Sequence, residues 1–249
     1  MWNLFKCATL GDYSDVYLNS DVLILADVFE KFRDVCIATY DLDPCQFFTA
    51  PALSFCAALK NTDVQLELLT DLDMIHFIKH GIRGGVSQCS VRKAVANNKF
   101  MPNYIASKPT SYLMYLDATN LYGAAMSQYL PTGNFKWLSD SEIKDLKIEN
   151  IDKNSSTGYI YEVDLDYPRE LHYLHNELPF CPESIKSPES QCNIKKLIPN
   201  LNRKEKYVIH FQNLQQALEH GLKLTKTHRV LSFDQSPWLK KNLLKHGKA

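Results

Sequence analysis

The stretch YLMYLDATNLYGAAM, residues 112–126, decides how the chain is read. Its apolar and aromatic run ends on one carboxylate, Asp117, and an aromatic ring, Tyr122, follows five residues later. The run predicts a buried strand, YLMYLD, and NLYGAAMSQYL predicts a helical turn or short helix leaving it. A carboxylate fixed at the end of a buried strand, with a tight turn behind it, is a way to hold a divalent cation, because the turn's backbone groups face the ligand. The same acid also suits a helix N-cap, accepting a bond from an unpaired backbone N–H.

Outward from this stretch, residues 15–40 carry Val22, Leu25, Ala26, Phe29, Phe32, Val35 and Cys36 at helical spacing, which predicts an amphipathic helix ended by DLDP at 41–44. Further helices are expected near Ala50 and near Asp71, the second stopped by Gly81 as a C-terminal cap. After Gly84 and Gly85 the chain is basic and lacks apolar periodicity as far as SKPTS. PTG at 131–133 reads as a turn, GYIYEVDLDYP from Gly158 as a strand ended by proline, and ELPFCPESIKSPES as a loop. NRKEKYVIHFQNLQQALEHGLKL reads as an amphipathic helix capped by Gly221, and THRVLSF as a strand. Strands and helices mix without strict alternation and without internal repeats, so the expected class is α+β.

At 249 residues and 45% hydrophobic, the chain can bury a core in one large domain or two small ones. Its apolar runs fall short of the roughly 20 residues of a membrane span. The N-terminus lacks a basic region followed by an apolar one, so no membrane and an intracellular setting are expected. Seven cysteines, at 7, 36, 45, 56, 89, 181 and 192, form no CxxC, which points to neither a disulfide framework nor a zinc site. Net charge is zero but segregated: Lys and Arg against Asp and Glu stand 4 to 12 over residues 1–75, 6 to 0 over 76–110, 6 to 13 over 111–190, and 12 to 3 over 191–249. Basic blocks beside acidic ones suit a protein that holds phosphates in one place and divalent metal in another; solvated faces would give the same count.

DATNLYGAAM closely resembles motif A of the family B DNA polymerases, and the whole chain resembles their protein-primed branch, closest to the polymerases of Maverick or Polinton mobile elements. The resemblance implies that Asp117 ligands both catalytic magnesium ions (manganese being an alternative), and that the Ala118 carbonyl ligands one. It implies that backbone near Leu121 touches the incoming deoxynucleoside triphosphate, and that Tyr122 stacks under the deoxyribose to exclude a 2′-hydroxyl. Many family members have proline after the tyrosine; here it is Gly123, a difference associated with the mobile-element group. YLNSDV places Tyr17 and Asp21 one helical turn apart and resembles the third exonuclease motif, in which the acid binds metal and the phenol orients the attacking water. GIRGGVSQCSVRK is similar to the Tyr-x-Gly-Gly motif that guides the primer strand, with Ile82 in the tyrosine position. Arg83, Gly84, Gly85, Arg92 and Lys93 would contact DNA there, since glycines let backbone N–H groups approach phosphates closely.

The region from Gly158 and the basic block from Lys195 resemble the inserted segment that contacts the terminal protein and template, which makes Lys204, Lys206, His210 and Arg229 candidates for phosphate contacts. The implied layout is the end of a 3′–5′ exonuclease domain over 1–45, a helical and basic connector over 46–110, a partial palm over 111–190, and an insertion-region helix and strand over 191–249. The resemblance implies the middle of a longer polymerase. Two earlier exonuclease motifs would belong before Met1, and a fingers helix and an Asp-x-Asp turn after Ala249. The implied partners are a DNA primer-template, deoxynucleotides and a priming protein, in a nuclear setting. A catalytically dead DNA-binding remnant is the alternative; a free-standing nuclease fits poorly, with one exonuclease acid present.

Overall fold

A computed structural model describes residues 2–187 and 191–240, which divide into two compact units parted at Gln65 and Leu66. In the smaller, the long helix α1 runs Leu10–Tyr40, starting five residues before the predicted helix. Thr9 caps it: its hydroxyl accepts from Asp12 N–H, and the Asp12 carboxylate accepts from the Thr9 N–H at 2.8 Å. Asp41, in the left-handed conformation, ends it at the start of DLDP, and Asp43 receives Arg33 at 2.8 Å. Helix α2, Ala50–Thr62, is capped by Thr49 and buries Leu53, Ala57 and Ala58. On α1 only Cys36 is buried; Val22, Leu25, Phe29 and Phe32 stay exposed, so the predicted apolar face is formed without being covered.

The larger unit, Leu66–Pro237, is built on a four-stranded antiparallel sheet. Its elements in order are α3 (Leu72–Gly81), α4 (Leu121–Met126), β1 (Leu130–Trp137), α5 (Asp140–Asp145), β2 (Thr157–Asp166), β3 (Glu183–Lys186), β4 (Lys195–Ile198), β5 (Lys204–His210), α6 (Phe211–Glu219) and β6 (Lys223–Ser236). The sheet order is β1-β6-β2-β5, with β3 and β4 forming a separate hairpin. One face carries Tyr161, Val163, Leu165, Tyr207, Ile209 and Val230 against Phe211, Leu214 and Ala217 of α6. The other carries Val208 and Leu231 against Phe77 of α3. Fully burying each of the larger apolar side chains is worth roughly 1.5–3 kcal/mol, so the sheet, covered on both faces, dominates the stability of this unit.

Four expectations are corrected. YLMYLD forms no strand: after an isolated bridge between Asn97 and Ser111, residues 112–117 run without a ladder partner among the described residues, and Tyr115 is 93% exposed. Apolar character favours a strand, but a strand exists only where a neighbour takes its N–H and C=O groups. PTG lies inside β1, where register shifts at Pro131, Gly133 and Lys136 and a left-handed Asn134 absorb its turn character as bulges. Residues 204–210 are a strand, not the first half of a helix. Tyr207, Val208 and Ile209 are all buried because the two faces of β5 meet different cores, so no period-2 pattern shows. The expected loop at 177–190 contains β3, and its last part, 188–190, lies outside the described residues.

Gly81 ends α3 where expected but is not left-handed; Ile82 serves as the C-cap, its N–H donating to Ile78 and Lys79 carbonyls. A Cβ at Gly81 would stand 3.0 Å from Val208 Cγ1, so the glycine lets α3 approach β5. Gly221, at φ +96°, is the left-handed residue after α6.

Candidate nucleotide and nucleic-acid site

Asp117 and Ala118 lie at the end of the unpaired segment, and α4 begins four residues after Asp117. The N-cap of α4 is Asn120, not Asp117: Asn120 sits at φ +56° and its side-chain oxygen accepts the Gly123 N–H at 2.9 Å. Asp117 is thereby left out of the capping and exposed. Gly123 leaves room for this cap. A Cβ there would stand 2.5 Å from Asn120 Nδ2, and a proline would carry no N–H to donate. Leu121 and Tyr122 occupy the first turn of α4 with exposed side chains, the Tyr122 ring 86% so.

Tyr17 and Asp21 belong to the smaller unit, exposed one turn apart on α1. Arg83 follows α3 in the larger unit, and its Nη1 donates to the Gly81 and Val208 carbonyls at 3.0 and 2.7 Å. Its guanidinium lies 3.9 Å above the centre of the Tyr207 ring. Gly84 and Gly85 are exposed with open space where a Cβ would stand, and Arg92 and Lys93 are exposed on the same connection.

The basic residues of the C-terminal block divide. Lys206 is exposed, with its backbone N–H donating to Asp164 at 2.8 Å. Lys204 is fully buried, and its ammonium donates to Glu183 at 2.9 Å and to the Asn200 side chain at 2.6 Å; it is not presented to a phosphate here. Arg229 is held by Glu162 at 3.1 Å and Asp73 at 2.9 Å, and lies 4.8 Å over Trp137 and 5.0 Å over Phe77. It fastens α3 to the sheet. Half-buried His210 packs on Phe211 and Phe233, and burial pushes its imidazole down to about 4, so it is neutral near pH 7. Sequence reasoning missed Tyr207, Asn120 and Asp73; an Asn three residues before a Gly is the one signal that pointed to any of them.

Magnesium prefers six oxygens in near-octahedral array. Asp117 with the Ala118 carbonyl supplies fewer, and among the described residues no group of three or more His, Cys, Asp or Glu stands together to hold a metal ion. These residues alone do not complete such a site.

No helix among the described residues is long and apolar enough to cross a membrane. No curated protein and no solved structure matches the chain. The family model described as DNA polymerase type B, organellar and viral, matches residues 12–240, a span that takes in α1 with Tyr17 and Asp21, the Gly84–Gly85 connection, Asp117 to Tyr122, and the whole sheet. Its mixed helix and strand content fits part of such an enzyme, and the chain belongs to the family of type B DNA polymerases, which add deoxynucleotides to DNA on a template.

Proposed function

We propose that this chain forms the central part of a protein-primed DNA polymerase of the Maverick or Polinton kind, working in the nucleus with a terminal protein. In this reading Asp117 and the Ala118 carbonyl are magnesium ligands, Leu121 and Tyr122 form the floor of the deoxynucleotide site, and Tyr17 with Asp21 serves proofreading. The connector with Gly84, Gly85, Arg92 and Lys93 guides DNA. The four-part layout, with divisions near residues 45, 110 and 190, belongs to the same proposal.

The observation that carries it is the order of these residues within one family match over residues 12–240. The local geometry is in keeping: Asn120 takes over the capping of α4, so the Asp117 carboxylate is not consumed by the helix it precedes. Phosphoryl transfer needs charge neutralisation and positioning, which an unencumbered carboxylate beside a backbone carbonyl can contribute to a two-metal clamp.

The test is primer extension by the longest product that contains this chain in frame. Asp117→Asn is expected to abolish nucleotide addition and leave DNA binding nearly unchanged, because a ligand and no cation is removed. Extension surviving at more than a few per cent would overturn the assignment.

A further inference from the structure

Two cavities adjoin across the Arg83–Tyr207 stack, both lined by Arg83, Gly84 and Tyr207. The first, about 480 Å³, is bounded by the end of α3, the outer part of β5 and the β3–β4 hairpin. Its cations are Lys79, Arg83 and Lys206. Of its two acids, Glu183 is already occupied by the Lys204 ammonium at 2.9 Å and the Asn200 amide at 2.9 Å, leaving Glu205 against three cations. The second cavity, about 570 Å³, is walled by Pro179, Phe180, Pro199 and Ile209. At its rim stand the amides of Asn213 and Gln216, whose side chains have no hydrogen-bond partner among the described residues.

One compartment is therefore cationic and the other apolar with two free amides. Both volumes lie in the range of small-molecule sites, roughly 300–1,000 Å³. A flat ring with polar edges is what proline and aromatic walls with amides at the rim accept, and an attached anion is what three cations accept. The neutral imidazole of His210 and the buried thiol of Cys181 add no charge to the apolar side, where burial pushes the thiol up to about 11.

We propose that the two cavities together bind one nucleotide unit, its phosphate among Lys79, Arg83 and Lys206 and its base between Pro179, Phe180 and Pro199 with Asn213 and Gln216 at its edge. The unit is a nucleotide of a bound single strand or a free nucleotide; their shared chemistry is a phosphate joined to a base. Arg83 serves both sides, its charge turned to the phosphate while its plane lies on Tyr207. The inference rests on the reading above that the chain engages DNA through the connection after α3. It goes further in assigning a base to the cavity beside α6.

The experiment measures binding of the 249-residue chain to a fluorescent twelve-nucleotide strand and to a fully abasic strand of equal length and charge. The intact strand is expected to bind about tenfold more tightly, the scale of stacking one base in a protein site. Asn213→Ala with Gln216→Ala should remove several-fold of the intact strand's affinity and none of the abasic strand's. Lys79→Ala with Lys206→Ala should weaken both alike and flatten the salt dependence by a log–log slope of roughly 0.7 per phosphate contact. Displacement by free deoxynucleoside monophosphate, with the same sensitivity to the amide variant, would assign the site to a free nucleotide. No displacement at millimolar concentration would assign it to the strand. Equal affinity for intact and abasic strands, or an amide variant that weakens both, would overturn the base compartment while leaving the DNA-binding reading intact. Failure of every strand to bind would overturn both.

Discussion

At Lys204 an ammonium is enclosed by protein and neutralised by Glu183, with the Asn200 carbonyl and side chain taking its other protons. Removing one partner of such a pair leaves an uncompensated carboxylate, which costs several kcal/mol when both are buried. Glu183 remains 28% exposed, so Lys204→Ala is expected to lower the unfolding free energy by about 2–4 kcal/mol in urea titration. DNA affinity and its salt slope should not change in the folded protein; a reduced slope would mean the ammonium reaches a phosphate after all. This is where the sequence is least informative about the site. A lysine in a basic block reads the same whether it faces solvent or an internal acid, because its partner is 21 residues away in the chain. Asp117 and Tyr122 could be singled out from the sequence because the pattern is local: an acid, a turn and a ring within six residues. On the proposed reading, Tyr122→Val in a polymerase that contains this chain is expected to raise ribonucleotide incorporation, by opening room for a hydroxyl, and a primer-extension comparison of ribo- and deoxynucleotides reads it directly.

Among the elements, α3 packs on the sheet through Phe77 against Val208 and Leu231 and is tied there by one polar fastener. Arg229 pairs across strands with Glu162, reaches Asp73 on α3, and lies over Phe77 and Trp137, whose rings meet edge to face at 4.8 Å. Arg229→Ala should cost roughly 1–2 kcal/mol, the ion pairs being discounted for exposure, and should increase hydrogen exchange in α3 more than in α6. A second tie joins β2, β5 and β6. The Asp164 carboxylate accepts the Lys206 N–H and stands 2.8 Å from His228 Nε2, while its carbonyl accepts from Thr225. The Lys206 N–H, first, and His228 hold this acid below the usual carboxylate range. A depressed folded value means that the stabilisation is present above the unfolded value of about 3.9 and is lost as pH falls through the folded one. Asp164→Asn should therefore flatten the fall in stability below about pH 4, followed by denaturant titration at several pH values. α1, α2 and α3 were legible in the sequence, as were β2 and β6; α5 was not, despite its Ser139–Glu142 capping box. β5 was not, because being buried on both faces erases the alternation that marks a strand. Nor was the unpaired course of residues 112–117, since strand formation depends on a neighbour that the segment's own residues do not encode.

For the molecule as a whole, two-metal chemistry requires ions clamped between acids, and the described residues contain no such cluster. On the proposed reading, in which the partner acids lie elsewhere in a longer polymerase, the 249-residue chain on its own is expected to show neither primer extension nor primer degradation with magnesium or manganese; activity that disappears in Asp117→Asn or Asp21→Ala would overturn this. The order of the sheet has a different kind of consequence, which concerns the ribosome. β1 is joined to the sheet only through β6, and β6 is the last strand among the described residues. A nascent chain can pair β2 with β5 and fold α6 onto them, but β1 must wait from Trp137 until Lys223–Ser236 has emerged, on the order of 10 s at ordinary elongation rates. Through that interval β1 is an unpaired strand carrying Phe135 and Trp137, open to association with other nascent chains on the same message. Synthesis of this protein therefore favours slow initiation, well-spaced ribosomes or a chaperone that shields β1 until β6 arrives.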